Sequence, residues 1–192
     1  MQRGSFSLGW YVSYSLEGSC LIGAGLQLSY NSRMRKLWNR PAWPVWSVST
    51  ADQAGQGNMN IATYVQAVSL DPKLMTVAVY NDTKTLANLQ QSRRCLLQLL
   101  PETIAPVVRI CGQKSGHEID KIARLRKRFD LGQHNGLHYF VQAAGWLELE
   151  ITDLHDVGGD HQLATGKVIK QKNLHDEPIL TTDYLRTNGY IR

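Results

Sequence analysis

The sequence predicts a mainly β fold, an antiparallel barrel or sandwich with a few short helices packed outside it. Three observations carry this. Short runs rich in β-branched and aromatic residues recur along the chain. Turn-forming residues separate them. Only two segments combine helical spacing with a capping signal. With 192 residues, 43% hydrophobic and 19% charged, the chain is long enough for one domain with a real core. It is neither a disordered chain nor a coiled coil. No apolar run approaches the roughly 18–20 residues of a membrane-spanning helix, so no membrane association is expected. Cys20, Cys95 and Cys111 are sparse and widely spaced, neither a disulfide framework nor a zinc pattern. They fit a reducing compartment, and a cytoplasmic location is expected.

Residues 1–33 are expected to be a disordered leader or an over-called start, with the single domain running over 34–192. Up to Asn31 only Arg3 and Glu17 are charged. As a secretory signal the segment is poor, with one basic residue in front and no small-x-small cleavage site. Met34 opens Met-Arg-Lys-Leu-Trp-Asn, which reads like a natural beginning. From there strands are predicted at 43–50, 61–68, 74–80, 95–100, 137–154 and 164–171. Residues 51–58 are a turn by composition, and Asp71-Pro72 ends another, because proline fixes φ and lacks a donor. Gly145 is expected to mark a bulge or bend in the long run. Helices are predicted at 86–94, capped by Thr85, and at 118–129, where Ser115 and Glu118 have capping-box spacing. The second places Ile119, Ile122 and Phe129 on one face and Lys121, Arg124, Lys127 and Arg128 mostly elsewhere.

The most informative stretch is 58–72, Asn-Met-Asn-Ile-Ala-Thr-Tyr-Val-Gln-Ala-Val-Ser-Leu-Asp-Pro. After the strand at 74–80, Asn-Asp-Thr-Lys-Thr opens a helix. The hydroxyls of Thr83 and Thr85, the Lys84 ammonium and the free N–H groups of a helix start form a natural phosphate site. The competing reading is simply a capped helix after a strand.

Here the chain resembles the flavin reductase-like, FMN-binding split-barrel proteins. That family has a threonine-rich strand start, roughly Asn-x-x-Thr-x-Ser-Ser, ahead of Val-Ser-x-Asp-Pro-Pro and a Ser-x-Thr at a helix start. Asn58 falls on the asparagine, Thr63 and Tyr64 on the Ser-Ser pair, Val68 to Pro72 on the turn, and Thr83-Lys84-Thr85 on the Ser-x-Thr. Ser115-Gly116 with Asp120-Lys121, and Gly159-Asp160-His161 with Gly166-Lys167-Val168, match two further elements. The likeness runs from about Ala42 to Leu180 in order and spacing. It departs at Lys73, where the family has a second proline, at Ile61, where it has a threonine, and at Tyr64, where it has a small serine.

The resemblance implies an antiparallel Greek-key split barrel, a homodimer, and an FMN-binding oxidoreductase that passes a hydride from NAD(P)H to flavin N5. FAD or riboflavin are alternative flavin substrates. The implied cofactor-binding residues are Asn58, Asn60, Ile61, Ala62, Thr63, Tyr64, Thr83, Lys84, Thr85 and His161. Thr83 to Thr85 would hold the phosphate, and backbone groups of Asn60 to Thr63 would line the ring. His161 is the candidate near the flavin or the nicotinamide; the Gly-Asp-His match is what lifts it above a structural histidine. No covalent nucleophile is needed, because the flavin carries the redox chemistry.

Other residues carry less. His134 and His138 read as surface residues rather than metal ligands. Cys111 reads as a small buried hydrophobe. An FMN-bound electron carrier without NAD(P)H turnover is one alternative function. A nucleic-acid-binding barrel is another, suggested by the net charge of +5. It predicts basic and aromatic residues interleaved on one sheet face. The positive charge instead gathers at residues 33–40 and 121–128, the second most simply a solvated helix face, so no nucleic-acid partner is expected.

Overall fold

The computed structural model describes residues 19–22, 26–29, 37 and 40–191. Two units separate, Met1–Pro41 and Ala42–Arg192. In the first, β1 (Ser19–Ile22) and β2 (Leu26–Ser29) pair as an antiparallel hairpin. The other residues of the expected leader lie outside the described residues.

The second unit is built on one seven-stranded antiparallel sheet. Its strands are β3 (Trp46–Ala51), β4 (Gly57–Ala62), β5 (Val65–Leu70), β6 (Lys73–Tyr80), β7 (Arg94–Leu99), β10 (Gly145–Asp156) and β11 (His161–Asn173). Their order is β4-β3-β7-β10-β11-β6-β5. β6 lies beside β11 rather than beside β7, which follows it in the chain; this is the Greek-key arrangement. Along β6 the side chains alternate, and Met75, Val77 and Val79 are buried. They meet Val48, Leu97, Leu149, Ile151 and Ala164 from the other strands in the barrel core. A hairpin of β8 (Leu131–His134) and β9 (Leu137–Phe140) stands apart from this sheet.

Helices fill the ends. α1 (Lys84–Ser92) joins β6 to β7 and buries Leu86 and Leu89 in the barrel core. A 3-10 helix (Glu102–Val107), α2 (Val108–Cys111), α3 (Lys121–Leu125) and α4 (Thr182–Thr187) surround a second core. That core includes Val45, Met59, Leu100, Val108, Leu125, Phe140 and Leu185.

Several expectations need correction. The run at 61–68 is two strands, with Thr63 and Tyr64 between them. β4 and β5 lie on opposite edges of the sheet, so the chain must cross from one to the other. The Tyr64 carbonyl accepts from Ala78 N–H at 3.0 Å, which holds that crossing against β6. The run at 137–154 breaks into β9 and β10. Gly145 opens β10 where a Cβ would come within 2.6 Å of the Lys172 carbonyl oxygen. The 118–129 helix shrinks to Lys121–Leu125, because residues 115–120 are spent in turns on the Ser115 carbonyl and Asp120 is the cap, accepting from Ala123 N–H at 2.9 Å. Thr83, not Thr85, caps α1: its hydroxyl accepts from Leu86 N–H at 3.2 Å. Lys121 is not on a solvated face; it is buried, with its ammonium donating to the Cys111 carbonyl at 2.7 Å. Cys111 is buried as expected, and burial pushes its thiol up to about 12.

His134 and His138 are not surface residues either. The His134 ring stacks on Trp146, with centroids 4.5 Å apart. His138 is buried against Gly57, and its Nε2 lies 2.9 Å from Arg126 Nη2. A guanidinium can only donate, so His138 Nε2 must accept and the ring must be neutral. Burial first, then the Arg126 charge, holds the His138 pKa below its ordinary value of 6.5. The unfolded chain therefore takes up a proton that the folded chain refuses. His138 costs nothing above pH 6.5 and destabilises the fold progressively as pH falls below it. A His138→Gln variant is expected to lose its melting temperature less steeply than wild type between about pH 7 and 5, followed by thermal denaturation. Parallel curves would refute this.

Candidate functional site

Where the barrel splits, the end of β4 and the crossing residues face the end of β6. A cleft of about 140 Å³ opens there, lined by Asn60, Ile61, Ala62, Thr63 and Tyr64 on one side and Ala78, Val79, Tyr80 and His161 on the other. It adjoins a larger cleft of about 390 Å³, walled by the start of α1 (Thr83, Lys84, Thr85), by Asn58, and by the loop from Gly112 to Gly116. Asn60, Ile61, Tyr80 and Thr85 line both. All ten residues singled out as cofactor-binding from the sequence line one cleft or the other.

The larger cleft takes its character from α1. The first N–H groups of a helix have no partner within it, and the helix dipole adds positive potential there. Thr83 spends its hydroxyl on the cap and donates to the Tyr80 carbonyl at 2.8 Å. Thr85 is buried, and its hydroxyl accepts from Asn58 Nδ2 at 3.0 Å. The Lys84 ammonium donates to Gln56 Oε1 at 2.7 Å and lies 3.6 Å from Asp52. It is thus held at the rim of the cleft by side chains of the 52–56 turn.

Asn58 is the unusual group. It is 2% exposed, its Nδ2 is used, and its Oδ1 is buried with no partner among the described residues. A buried acceptor left unpaired costs about 1–3 kcal/mol. Across from it sits Gly116, where a Cβ would stand 2.3 Å from that same oxygen. The glycine keeps the cleft open beside an acceptor that lacks a donor. Ile61 offers no hydroxyl; its side chain packs against the helical core.

The smaller cleft is aromatic at its mouth. His161 stands edge-on to Tyr80, centroids 5.1 Å apart, and to Tyr64 at 5.9 Å. Its Nδ1 is 2.6 Å from Asp160 Oδ1. The carboxylate accepts, so Nδ1 carries the proton and Nε2 of a neutral ring is left as an acceptor. That hydrogen bond holds the Asp160 carboxyl below its ordinary range. Asn81 fixes the segment by taking its own N–H to the Asp160 carbonyl (2.9 Å) and its Nδ2 to the Gly159 carbonyl (3.1 Å).

Sequence reasoning missed Tyr80, Asn81 and the wall from Gly112 to Lys114. Tyr80 and Asn81 sit where a strand turns into a capped helix, a junction that places side chains at a cleft. Burial lowers the Lys121 pKa, and the residue lines the larger cleft.

A family model described as the flavin reductase like domain matches residues 38–185. Solved structures share the fold. An FMN-binding protein from Thermus thermophilus, with bound 1-cyclohex-2-enone, is 25% identical with a TM-score of 0.63, covering 74% of this chain and 76% of that one. An NADH:FAD oxidoreductase from Streptomyces globisporus, in complex with NAD and FAD fragments, is 21% identical with a TM-score of 0.65, covering 77% and 84%. A protein from Sinorhizobium meliloti 1021 is 25% identical with a TM-score of 0.64; the match covers 73% of this chain and 46% of that longer one.

Proposed function

The chain belongs to the family of the flavin reductase like domain, and from that membership we propose an FMN-binding oxidoreductase of flavin reductase type, with NAD(P)H as the hydride donor. The observation that carries the reading is a convergence. Residues from four separate stretches of the sequence, around 58–64, 80–85, 112–116 and 161, meet at one split in the barrel.

The residues present fit the cofactor. The start of α1 offers amide donors and a positive potential suited to a phosphate. Asn58 Oδ1 is a buried acceptor in need of a donor, and the ribityl chain of a flavin is a row of hydroxyl donors. Gly116 keeps that place open. Bound FMN supplies the redox chemistry, accepting a hydride at its ring. Everything else falls to the chain. Lys84, Thr85 and the backbone at Thr83 would hold the phosphate, the Thr83 hydroxyl being kept by the cap and the Tyr80 carbonyl. The Asn60 to Thr63 backbone orients the ring's polar edge. Tyr64 and Tyr80 present aromatic surface at the mouth, where a nicotinamide would approach. Asp160 fixes the His161 tautomer, so Nε2 faces its surroundings as an acceptor. A homodimer belongs to the same reading, supported by the family resemblance; a cytoplasmic location is supported by the sparse, widely spaced cysteines.

The test is direct. Purified protein is expected to be yellow, or to become so with FMN, with absorbance near ~450 nm from the flavin itself. It is expected to quench FMN fluorescence and to oxidise NADH or NADPH when free FMN is present. A colourless protein that leaves FMN fluorescence unchanged would sink the reading. Tight flavin retention without nicotinamide oxidation would make the protein an electron carrier instead.

A further inference from the structure

On the helical side of the domain lies a third cleft, of about 270 Å³. It is lined by Arg109 from α2, Lys114 from the loop after it, Arg124 from α3, Lys127 and Arg128 just beyond α3, and one apolar residue, Ile110. Five of the six lining residues are cations and none is an acid. All five are exposed, and among the described residues none of their side chains takes part in an ion pair or a hydrogen bond. Other basic residues of the same region do have such partners: Arg126 meets His138, and Lys121 donates to the Cys111 carbonyl. Arg109 is braced differently, with its guanidinium 5.2 Å over the centre of the Tyr190 ring. Tyr190 is fixed in turn, its N–H donating to the Leu185 carbonyl at 2.8 Å and its carbonyl accepting from Gln113 Nε2 at 3.1 Å. Like charges gathered in a concavity repel one another and focus a positive potential into it.

We propose that this cleft is a separate binding site for a compact polyphosphate, a chain of linked phosphates either free or carried by a nucleoside. Guanidinium forks match phosphate oxygens in pairs, and lysines add point charges beside them. An anion with many oxygens relieves the repulsion among the five cations. The size of the cleft favours a small, highly charged group, since pockets that enclose drug-sized organic ligands run to roughly 300–1,000 Å³. Other polyanions fit less well. Single-stranded nucleic acid calls for aromatic faces interleaved with the cations, and the Tyr190 ring is already covered by Arg109. An acidic peptide would need an extended groove with apolar pockets, and Ile110 is the one apolar residue in the lining. The proposal does not rest on the flavin reading: of the lining residues only Lys114 also lines a flavin-facing cleft.

The experiment is calorimetric titration of tripolyphosphate, and separately of ATP, into the full chain at low salt, both as isolated and after saturation with FMN. Wild type is expected to bind tripolyphosphate in the micromolar range, with and without FMN. The Arg124→Ser/Lys127→Ser variant changes two exposed positions outside both flavin-facing clefts. It is expected to lose roughly tenfold for tripolyphosphate and less than about twofold for FMN, as befits charge-assisted contacts partly screened by water. The charge-preserving Arg124→Lys/Lys127→Arg variant is expected to stay within about threefold of wild type. ATP binding as tight as tripolyphosphate, with the same loss in the serine variant, would identify a nucleotide as the source of the phosphates; much weaker ATP binding would identify a free polyphosphate. Unchanged tripolyphosphate affinity in the serine variant would overturn the inference, as would binding no tighter than that of sulfate. Binding that disappears once FMN is present would place the anion at the start of α1 and overturn it too. Tighter binding of a polyglutamate peptide or of oligo-dT, lost in the serine variant, would hand the cleft to a protein or to nucleic acid instead. A protein that binds no FMN would remove the flavin reading alone, because titration of the protein as isolated still reads the basic cleft.

Discussion

Replacing Lys84 and Thr85 together by alanine is expected to weaken FMN binding roughly 100-fold, while riboflavin, which lacks the phosphate, loses only about threefold. The difference follows from what each side chain can reach. A hydrogen bond to a charged group contributes about 1.5–3 kcal/mol, and two such bonds at the low end make about 3 kcal/mol, or a factor of about 100. Riboflavin feels the substitution only through Asn58, whose Nδ2 donates to the Thr85 hydroxyl. Removing that hydroxyl frees Asn58 to turn, and with it the buried Oδ1 placed to receive a ribityl donor. Lys84 has a competing attachment to Gln56 and Asp52. If the ammonium keeps it when FMN is present, the loss falls toward tenfold, carried by Thr85. Equilibrium titrations of both ligands by fluorescence quenching give the comparison. Equal losses for FMN and riboflavin would refute the assignment of the phosphate to this helix start.

The site was legible in the sequence because its parts are local. Thr83, Lys84 and Thr85 are consecutive, and any strand that ends in Asn-Asp-Thr and enters a helix exposes amides there. Asn60 to Tyr64 is likewise one short segment. The strand alternation Met75, Val77, Val79 was equally readable, because a period of two sorts one face from the other. What failed was long-range. Nothing local announces that Tyr64 must pair its carbonyl with Ala78, so the run at 61–68 looked like one strand. The helical stretch Glu102–Cys111 carries Pro106, which argues against a helix locally; its burial in the second core overrides it. Lys121 looked like one of several solvated charges on a helix. The Cys111 carbonyl that binds it becomes available only when α2 and α3 pack. Arg124, Lys127 and Arg128 are exposed, as a solvated face requires; of the basic run only Lys121 is buried.

Truncating Arg94 to alanine is expected to destabilise the domain by about 2–3 kcal/mol at pH 7, more than most exposed substitutions. Its partner, Glu148, has a side chain only 3% exposed, on β10 two residues before Glu150, the register partner of Arg94 on β7. Glu148 Oε1 accepts from the Arg94 guanidinium, and Oε2 lies 2.8 Å from His134 Nε2, with Asn135 donating at 3.3 Å. Burial works to raise the Glu148 pKa, but Arg94, His134 and Asn135 together outweigh it and hold the carboxyl below its ordinary value. The full cost of stranding a buried charge is about 3–5 kcal/mol. Arg94 is itself 42% exposed and two partners remain, so the expected loss lies below that range. A group with a depressed pKa in the fold contributes stability above its unfolded pKa and loses it as pH falls through the folded value. Without Arg94 the Glu148 pKa rises, so acidification neutralises the stranded carboxylate sooner. The penalty for Arg94→Ala is therefore expected to be largest near neutrality and to shrink toward about pH 4. In the background of Glu148→Gln, where no charge is stranded, the same substitution is expected to cost less than about 1 kcal/mol. Urea denaturation of the four proteins of this cycle at both pH values provides the measurement. A penalty that is independent of pH and unchanged by Glu148→Gln would assign Arg94 to packing rather than to the buried carboxylate.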